Sequence, residues 1–359
     1  MDSVRIGAVK AAALVLLPLL LITCKTETMK INELRAILDP SYAKGVSAPF
    51  CGVLQHVLVV AGGANFPDKP LLEGGAKRVY SDIWVKSPSF WKKWIRAGQL
   101  PDSTAYGATF YVGEALILAG GNAEGKSSDK VYELKLSYGK AVLKALPQLP
   151  VPLEQAGWTK DGDRLFLVGG LSDGAGSRAV YCCRTGDYRW EKLADLPQPL
   201  VQPVAYAAEG MLYVWGGFNP ETLELPSEGL RLNMDTLQGW EPAPAVPDGG
   251  TFVGATGVTI PDCRLVVVGG VDREIFSRAL RNTPEDRIPY LSQDPEAYRF
   301  RKTVFRFDPS TETWTALGAH PDCALAGPGV AAFDLKALYV AGGEVKPGVR
   351  SPKLFSLHF

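Results

Sequence analysis

The sequence predicts an all-β fold, a closed propeller of six blades. Two observations carry this. An apolar strand ending in Gly-Gly recurs six times, and the last copy is followed by a single further strand. A third observation is compositional. The 38 glycines and 27 prolines are spread through 359 residues, which marks frequent turns between short strands rather than a disordered tract.

The chain opens with Arg5 and Lys10, followed by the apolar run "AAALVLLPLLLI" from Ala11 to Ile22. The run is too short to span a bilayer and fits the apolar core of a secretory signal. Leu21-Ile22-Thr23-Cys24 follows it. This resembles a lipobox, with Thr23 where a smaller residue is usual. Residues 1–24 are therefore expected to be a signal, and residues 25–359 a single propeller. The protein is expected to be exported, either free in a bacterial periplasm or lipid-anchored through Cys24. That anchor would be its one link to a membrane, with ordinary cleavage as the alternative.

The repeat then begins. Its copies are "VLVVAGG", "ALILAGG", "RLFLVGG", "MLYVWGG", "RLVVVGG" and "ALYVAGG", ending at Gly63, Gly121, Gly170, Gly217, Gly270 and Gly343. The separations are 58, 49, 47, 53 and 73 residues, mostly near the roughly 50-residue period of Kelch propeller blades. A second strand follows each of the first five copies, for example "DIWVK" from Asp82 and "TVFRFD" from Thr303. A tryptophan often comes next, at Trp94, Trp190, Trp240 and Trp314. A small sheet of this kind cannot cover both of its faces alone, so face-to-face stacking around an axis is required. Glycine pairs let the chain leave the inner strands where neighbouring blades crowd.

After Gly343 the sequence holds only "KLFSLHF" as a further strand. The missing outer strand is expected from "KINELRAIL", beginning at Lys30, which closes the last blade and removes an open edge. The 73-residue separation contains an insertion at about residues 273–302. Its "REIFSRALRN" and "DPEAYRFRK" read as short helices, expected to flap over one mouth of the channel.

Composition narrows the chemistry. Lysines plus arginines number 38 and aspartates plus glutamates 38, so no basic surplus points to nucleic acid. Three histidines lie apart from one another and from any cysteine at ligand spacing, so no metal site is expected. Six cysteines at irregular spacing, including the vicinal Cys182-Cys183, form no disulfide framework. Ser-x-Asp-x-Gly-x-x-Trp boxes, a serine-hydrolase elbow and a phosphate loop are absent from the sequence, which argues against a glycosidase.

What remains is a carboxylate beside an arginine. In "AGGEVKPGVR", Glu344 directly follows the sixth Gly-Gly, and Pro347-Gly348 turns the chain back to Arg350. Both side chains are expected at one channel mouth. Arg350 either pairs with Glu344 or takes a ligand carboxylate through two parallel hydrogen bonds. In "AGGANFPDKP", Asn65 offers a donor and an acceptor that suit sugar hydroxyls or an N-acetyl group.

Taken together, "GGANFPDKP…EGGAKRVYSDIWV", "AYGATF", "GGVDREIF" and "GGEVKPGVRSPK" resemble the cyclically permuted mutarotase branch of the Kelch propellers. That branch is similar to the bacterial N-acetylneuraminate epimerases. The resemblance implies interconversion of the α and β anomers of sialic acid by acid/base ring opening and closure, with no cofactor. It implies Glu344 as base, Arg350 beside it as a catalytic partner, and Asn65, Arg178 and Arg273 as substrate contacts. The implied partner is a small sugar; a homodimer is compatible with it. The alternative is a non-catalytic Kelch module that binds a glycan or a protein, since this fold hosts both.

Overall fold

The structure, a computed structural model, describes residues 29–87 and 93–359. The signal and Cys24 lipidation expected above lie outside the described residues. Among the described residues no helix is long and apolar enough to cross a membrane.

The architecture is all-β and propeller-like. Six four-stranded antiparallel sheets follow one another along the chain. The first uses Phe50–Leu54, Val57–Ala61, Asp82–Lys86 and Ile95–Gln99 in that order. The second to fifth sheets repeat this up-and-down order, starting at Ala108–Val112, Gly157–Asp161, Val201–Ala208 and Ala255–Thr259. The sixth takes Gly329–Ala332, Ala337–Ala341 and Leu354–His358 from the end of the chain, and Lys30–Leu34 from its beginning. Lys30 stands opposite His358 and Leu34 opposite Leu354.

In each sheet the second strand is the apolar repeat, and it is almost wholly buried. Its β-branched and leucine side chains face a neighbouring sheet on either side. Val59, Ala61 and Ile83 of the first sheet pack with Leu116, Leu118 and Leu134 of the second. Each such side chain fully removed from water contributes about 1.5–3 kcal/mol, so a sheet in isolation would lose most of its stabilisation. The tryptophans fill the outer gaps. Trp314 of the fifth sheet lies 4.9 Å from Trp215 of the fourth, ring centre to ring centre. Trp240 of the fourth donates to the Asp195 carbonyl beside the third at 2.9 Å.

The double glycines have a specific task. Gly342 has φ +63, and a Cβ there would lie 2.1 Å from the Val46 carbonyl oxygen. The next residue, Gly343, donates its N–H to that same oxygen at 2.8 Å. Val46 leads into the first sheet, so this contact joins the last sheet to the first. The same pairing joins Gly62-Gly63 to Thr104, Gly120-Gly121 to Leu153, Gly169-Gly170 to Leu200 and Gly269-Gly270 to Leu325. At Gly216-Gly217 the close approach is instead to the backbone of Phe252. Only a residue without Cβ and tolerant of positive φ admits a carbonyl there.

A second belt lies nearer the axis. Ala48, Tyr106, Gln155, Gln202, Gly254 and Gly327 precede or enter the first strands of the six sheets, and all have positive φ. The N–H of Ala48 donates to the Gly327 carbonyl at 2.7 Å, Tyr106 to Ala48, Gln155 to Tyr106 and Gln202 to Gln155 at 2.9 Å each, and Gly327 to Gly254 at 2.6 Å. The link from Gly254 back to Gln202 is not made. Four of the six residues carry a Cβ in a conformation that costs about 1 kcal/mol or more, held by this belt.

The insertion forms the helices Arg273–Ala279 and Arg287–Leu291, with 3-10 turns at Pro284–Asp286 and Pro295–Tyr298. Asp272 caps the first helix by accepting from the Ile275 N–H at 2.9 Å. Tyr298 and Phe300 anchor the segment in an apolar cluster with Val253, Val271 and Ala326.

Gly342→Ala should lower the thermal midpoint by several degrees. Gly162→Ala, also at positive φ (+57) but with no atom within 4 Å of the new Cβ, should lower it much less. Thermal denaturation followed by circular dichroism compares the two. Equal losses would mean that φ alone, and not the carbonyl contact, fixes the glycine.

Candidate functional site

The residue after each Gly-Gly pair turns back toward the belt. These six residues are Ala64, Asn122, Leu171, Phe218, Val271 and Glu344. Ala64 is bridged to Ser47, Leu171 to Glu154 and Glu344 to Ala326, each partner lying one residue before a belt position. The Glu344 N–H donates to the Ala326 carbonyl at 2.7 Å and its carbonyl accepts from the Ala326 N–H at 2.9 Å. Glu344 is the one carboxylate among the six.

The belt surrounds a cavity of about 300 Å³. Tyr106, Gln155, Gln202 and Gly254 line it, with Lys77 and Glu344 contributing its charges and Phe276 of the insertion contributing an apolar edge. A second cavity of about 830 Å³ opens among the turns at the other end of the sheets, beside His56, Lys160 and Cys263. The two cavities share Cys51, Thr109 and Trp158 on their walls. Burial pushes the Cys51 thiol up to about 12, so it stays protonated and inert at neutral pH.

Glu344 and Arg350 stand opposite one another in a small hairpin, Glu344–Lys346 with Val349–Arg350. Arg350 Nη1 donates to Glu344 Oε1. The Gly348 N–H donates to the same oxygen at 2.7 Å. Gly348 has φ +81, and a Cβ there would lie 2.5 Å from Leu71. The hairpin tip therefore packs closely under the loop that carries Lys77. Glu344 Oε2 has no hydrogen-bond partner among the described residues. The carboxylate is fixed through one oxygen and open at the other.

Of the two roles open to Arg350, the pairing with Glu344 is made. The arginine side chain is only 4% exposed, its Nε donates to the Ala64 carbonyl at 3.2 Å, and it lies 5.2 Å from the centre of the Phe66 ring. It does not line the cavity.

The other expected contacts are not brought together. Asn65 is buried at 1% exposure. It donates to the Ser41 and Gly45 carbonyls at 2.9 and 2.8 Å and accepts from the Tyr80 hydroxyl at 2.7 Å. It pins the segment before the first sheet and does not line the cavity. Arg178 donates to the Leu196 carbonyl at 2.7 Å. Arg273 donates to the carbonyls of Leu225 at 2.9 Å and Gly249 at 3.3 Å and lies at a separate hollow beneath the insertion. Both arginines bind backbone, and neither lines the Glu344 cavity.

Four cavity residues were not singled out by the sequence: Lys77, Tyr106, Gln155 and Gln202. Gln202 Nε2 donates to Gln155 Oε1 at 2.6 Å, and Gln155 Nε2 to Glu154 Oε2 at 3.3 Å. Glu154 is itself buried and accepts at Oε1 from Asn122 at 2.9 Å and from Ser127 at 3.0 Å. This chain of amides gives one wall of the cavity fixed donors and acceptors. Tyr290 of the insertion lies outside this lining but feels the Glu344 charge; its phenol is pushed up to about 12 by burial first and then by Tyr298 and Glu344. Lys346 ties the insertion down by donating to the Gln293 carbonyl at 2.7 Å.

Comparison with known proteins bears on this site. Residues 146–359 match the family model described as N-acetylneuraminate epimerase. The chain belongs to the N-acetylneuraminate epimerase family. An N-acetylneuraminate epimerase of Yersinia pestis (strain Pestoides F) is 28% identical over 225 residues, covering 57% of this chain and 55% of its own length. One of Haemophilus influenzae (strain PittEE) is 29% identical over 221 residues, covering 57% of each. The chain thus spans about half the length of the curated relatives it matches. The solved structure of YjhT superposes with a TM-score of 0.52 at 26% identity, over 60% of this chain and 64% of that one. The family match takes in Glu344 and Arg350 and leaves Lys77 and Tyr106 outside it.

Asn65→Ala should act on stability. It leaves the Ser41 and Gly45 carbonyls and the Tyr80 hydroxyl without a buried partner, at about 1–3 kcal/mol for each such group. Urea denaturation should show a loss in that range or above. A variant of unchanged stability with impaired sugar binding would return Asn65 to the site.

Proposed function

We propose that the protein is a mutarotase that interconverts the α and β anomers of N-acetylneuraminate. The observation that carries the reading is Glu344, the one carboxylate lining the central cavity among the described residues, held at Oε1 by Arg350 and Gly348 and open at Oε2, in a member of this family.

The chemistry asked of it is small. Glu344 Oε2 takes the proton of the anomeric hydroxyl. The bond between the anomeric carbon and the ring oxygen breaks as the ketone forms, and the protonated Glu344 gives its proton to the departing ring oxygen, returning to the carboxylate. The open chain rotates about the bond next to the ketone and presents its other face. The hydroxyl then adds back to the ketone, losing its proton to the carboxylate, which passes it to the new anomeric oxygen and is regenerated. One positioned carboxylate serves as base and then as acid, a contribution of about 10²–10⁴-fold. Arg350 does not move in this scheme. It keeps the reactive oxygen aimed at the cavity while Gln155 and Gln202 hold sugar hydroxyls or the acetamido group.

In this reading the six sheets are the blades of a Kelch propeller, closed by the strand from Lys30. Residues 1–24 direct export, and a lipid on Cys24 would hold the protein at an envelope membrane.

The experiment releases N-acetylneuraminate as its α anomer and follows the decay by proton NMR. The protein should raise the rate, and Glu344→Gln should remove the gain by roughly 10²-fold or more at a temperature where the variant is folded, its melting point being lowered because the buried Arg350 loses its counter-charge. Decay at the uncatalysed rate in the presence of the wild-type protein would contradict the enzyme reading and leave a sugar- or protein-binding module. An active Glu344→Gln variant would move the base elsewhere.

A further inference from the structure

We propose that Lys77 holds the substrate's carboxylate and so selects an acidic sugar. The inference rests on the mutarotase reading for the identity of the sugar, and on the cavity alone for the position of the cation.

A sugar that carries a carboxylate must enter a cavity whose one lining acid is Glu344. Two like charges in a small space repel, so a cation has to face the ligand. Arg350 does not serve, being buried behind Glu344 and engaged by it and by the Ala64 carbonyl. Arg78, beside Lys77 in sequence, is paired with Asp68 at 3.0 Å outside the cavity. Lys77 is the one cation that lines the cavity among the described residues. Its ammonium has no hydrogen bond or ion pair to any described residue.

The ammonium is positioned nonetheless. It lies 5.0 Å from the centre of the Tyr106 ring, within cation–π range. Tyr106 is a belt residue, fixed at φ +62 and hydrogen-bonded through its N–H to Ala48 and through its carbonyl to Gln155. The loop that delivers Lys77 is shaped by Gly74, at φ +77, and by Gly75, where a Cβ would lie 1.8 Å from the Lys69 carbonyl oxygen. The same loop packs through Leu71 on Gly348 at the Glu344 hairpin. Cation and carboxylate are thus set on two mutually packed segments at one mouth. A ligand with its carboxylate on Lys77 presents the adjacent anomeric carbon to the rest of the cavity, where Glu344 Oε2 is open.

The test compares wild type, Lys77→Met and Lys77→Arg on N-acetylneuraminate and on its uncharged methyl ester. Anomer exchange by NMR gives KM and kcat, and calorimetry gives Kd. Lys77→Met should raise KM and Kd for the acid about 10-fold or more, leave kcat within about 3-fold, and leave the ester unchanged. Lys77→Arg should retain most of the affinity for the acid. If the acid binds in a Lys77-dependent way without any rate gain, the mutarotase reading fails and the carboxylate site stands. If exchange is catalysed and KM does not depend on residue 77, or acid and ester weaken alike, the Lys77 assignment is overturned and the mutarotase reading stands. Absence of both binding and catalysis in the wild type overturns both.

Discussion

One contact organises this molecule: a backbone carbonyl at the entrance of one sheet, received by the Gly-Gly pair of the sheet before it. The first glycine makes room and the second supplies a hydrogen bond. The contact at Gly342, Gly343 and Val46 is the most consequential, because it joins the end of the chain to its beginning. Apolar stacking between sheets supplies most of the stabilisation, but it is non-directional. The carbonyl contacts fix how far each sheet stands from the next, and therefore how wide the central cavity is.

The belt of left-handed residues follows from that spacing. With neighbouring entrances brought close, each residue at the axis can donate to the one before it, and five such bonds are made. Side chains at these positions are Ala48, Tyr106, Gln155 and Gln202, with glycine at Gly254 and Gly327. Strain of this kind gathers at functional sites when surrounding structure holds it. Here the belt aims an aromatic ring and two amides into the cavity. Glu344 is hooked to the same belt through Ala326, so the carboxylate inherits the rigidity of the scaffold and not that of a loop.

Much of this was legible in the sequence, for identifiable reasons. The repeat is written in residues that have no substitute, so Gly-Gly after an apolar strand marks each sheet. The strand from Lys30 was readable from the shortage of strands after Gly343. Of the two helices read in the insertion, the first forms as Arg273–Ala279, the second makes only the 3-10 turn Pro295–Tyr298, and the helix Arg287–Leu291 was not read. Glu344 stood out by departing from the repeat. Asn65 was expected at a ligand because its amide offers a donor and an acceptor, but in the structure that amide is engaged within the fold. Its partners Ser41, Gly45 and Tyr80 come from chain that folds over it, and nothing local announces that. The belt was not legible at all. Its six positions share a conformation imposed by neighbours and no residue type, so Tyr106, Gln155 and Gln202 carried no signal. Lys77 carried no signal either, since only the folded cavity sets it apart from other lysines.

The central claim is that the open oxygen of Glu344 faces the anomeric centre of a bound sugar. A crystal structure of the protein with N-acetylneuraminate tests it most directly. The account predicts the sugar in the cavity within the belt, its anomeric hydroxyl at about 2.6–3.2 Å from Glu344 Oε2, with the Arg350 pairing intact. A sugar seated in the opposite mouth beside His56, or one in the cavity with its anomeric carbon turned away from Glu344, would contradict it.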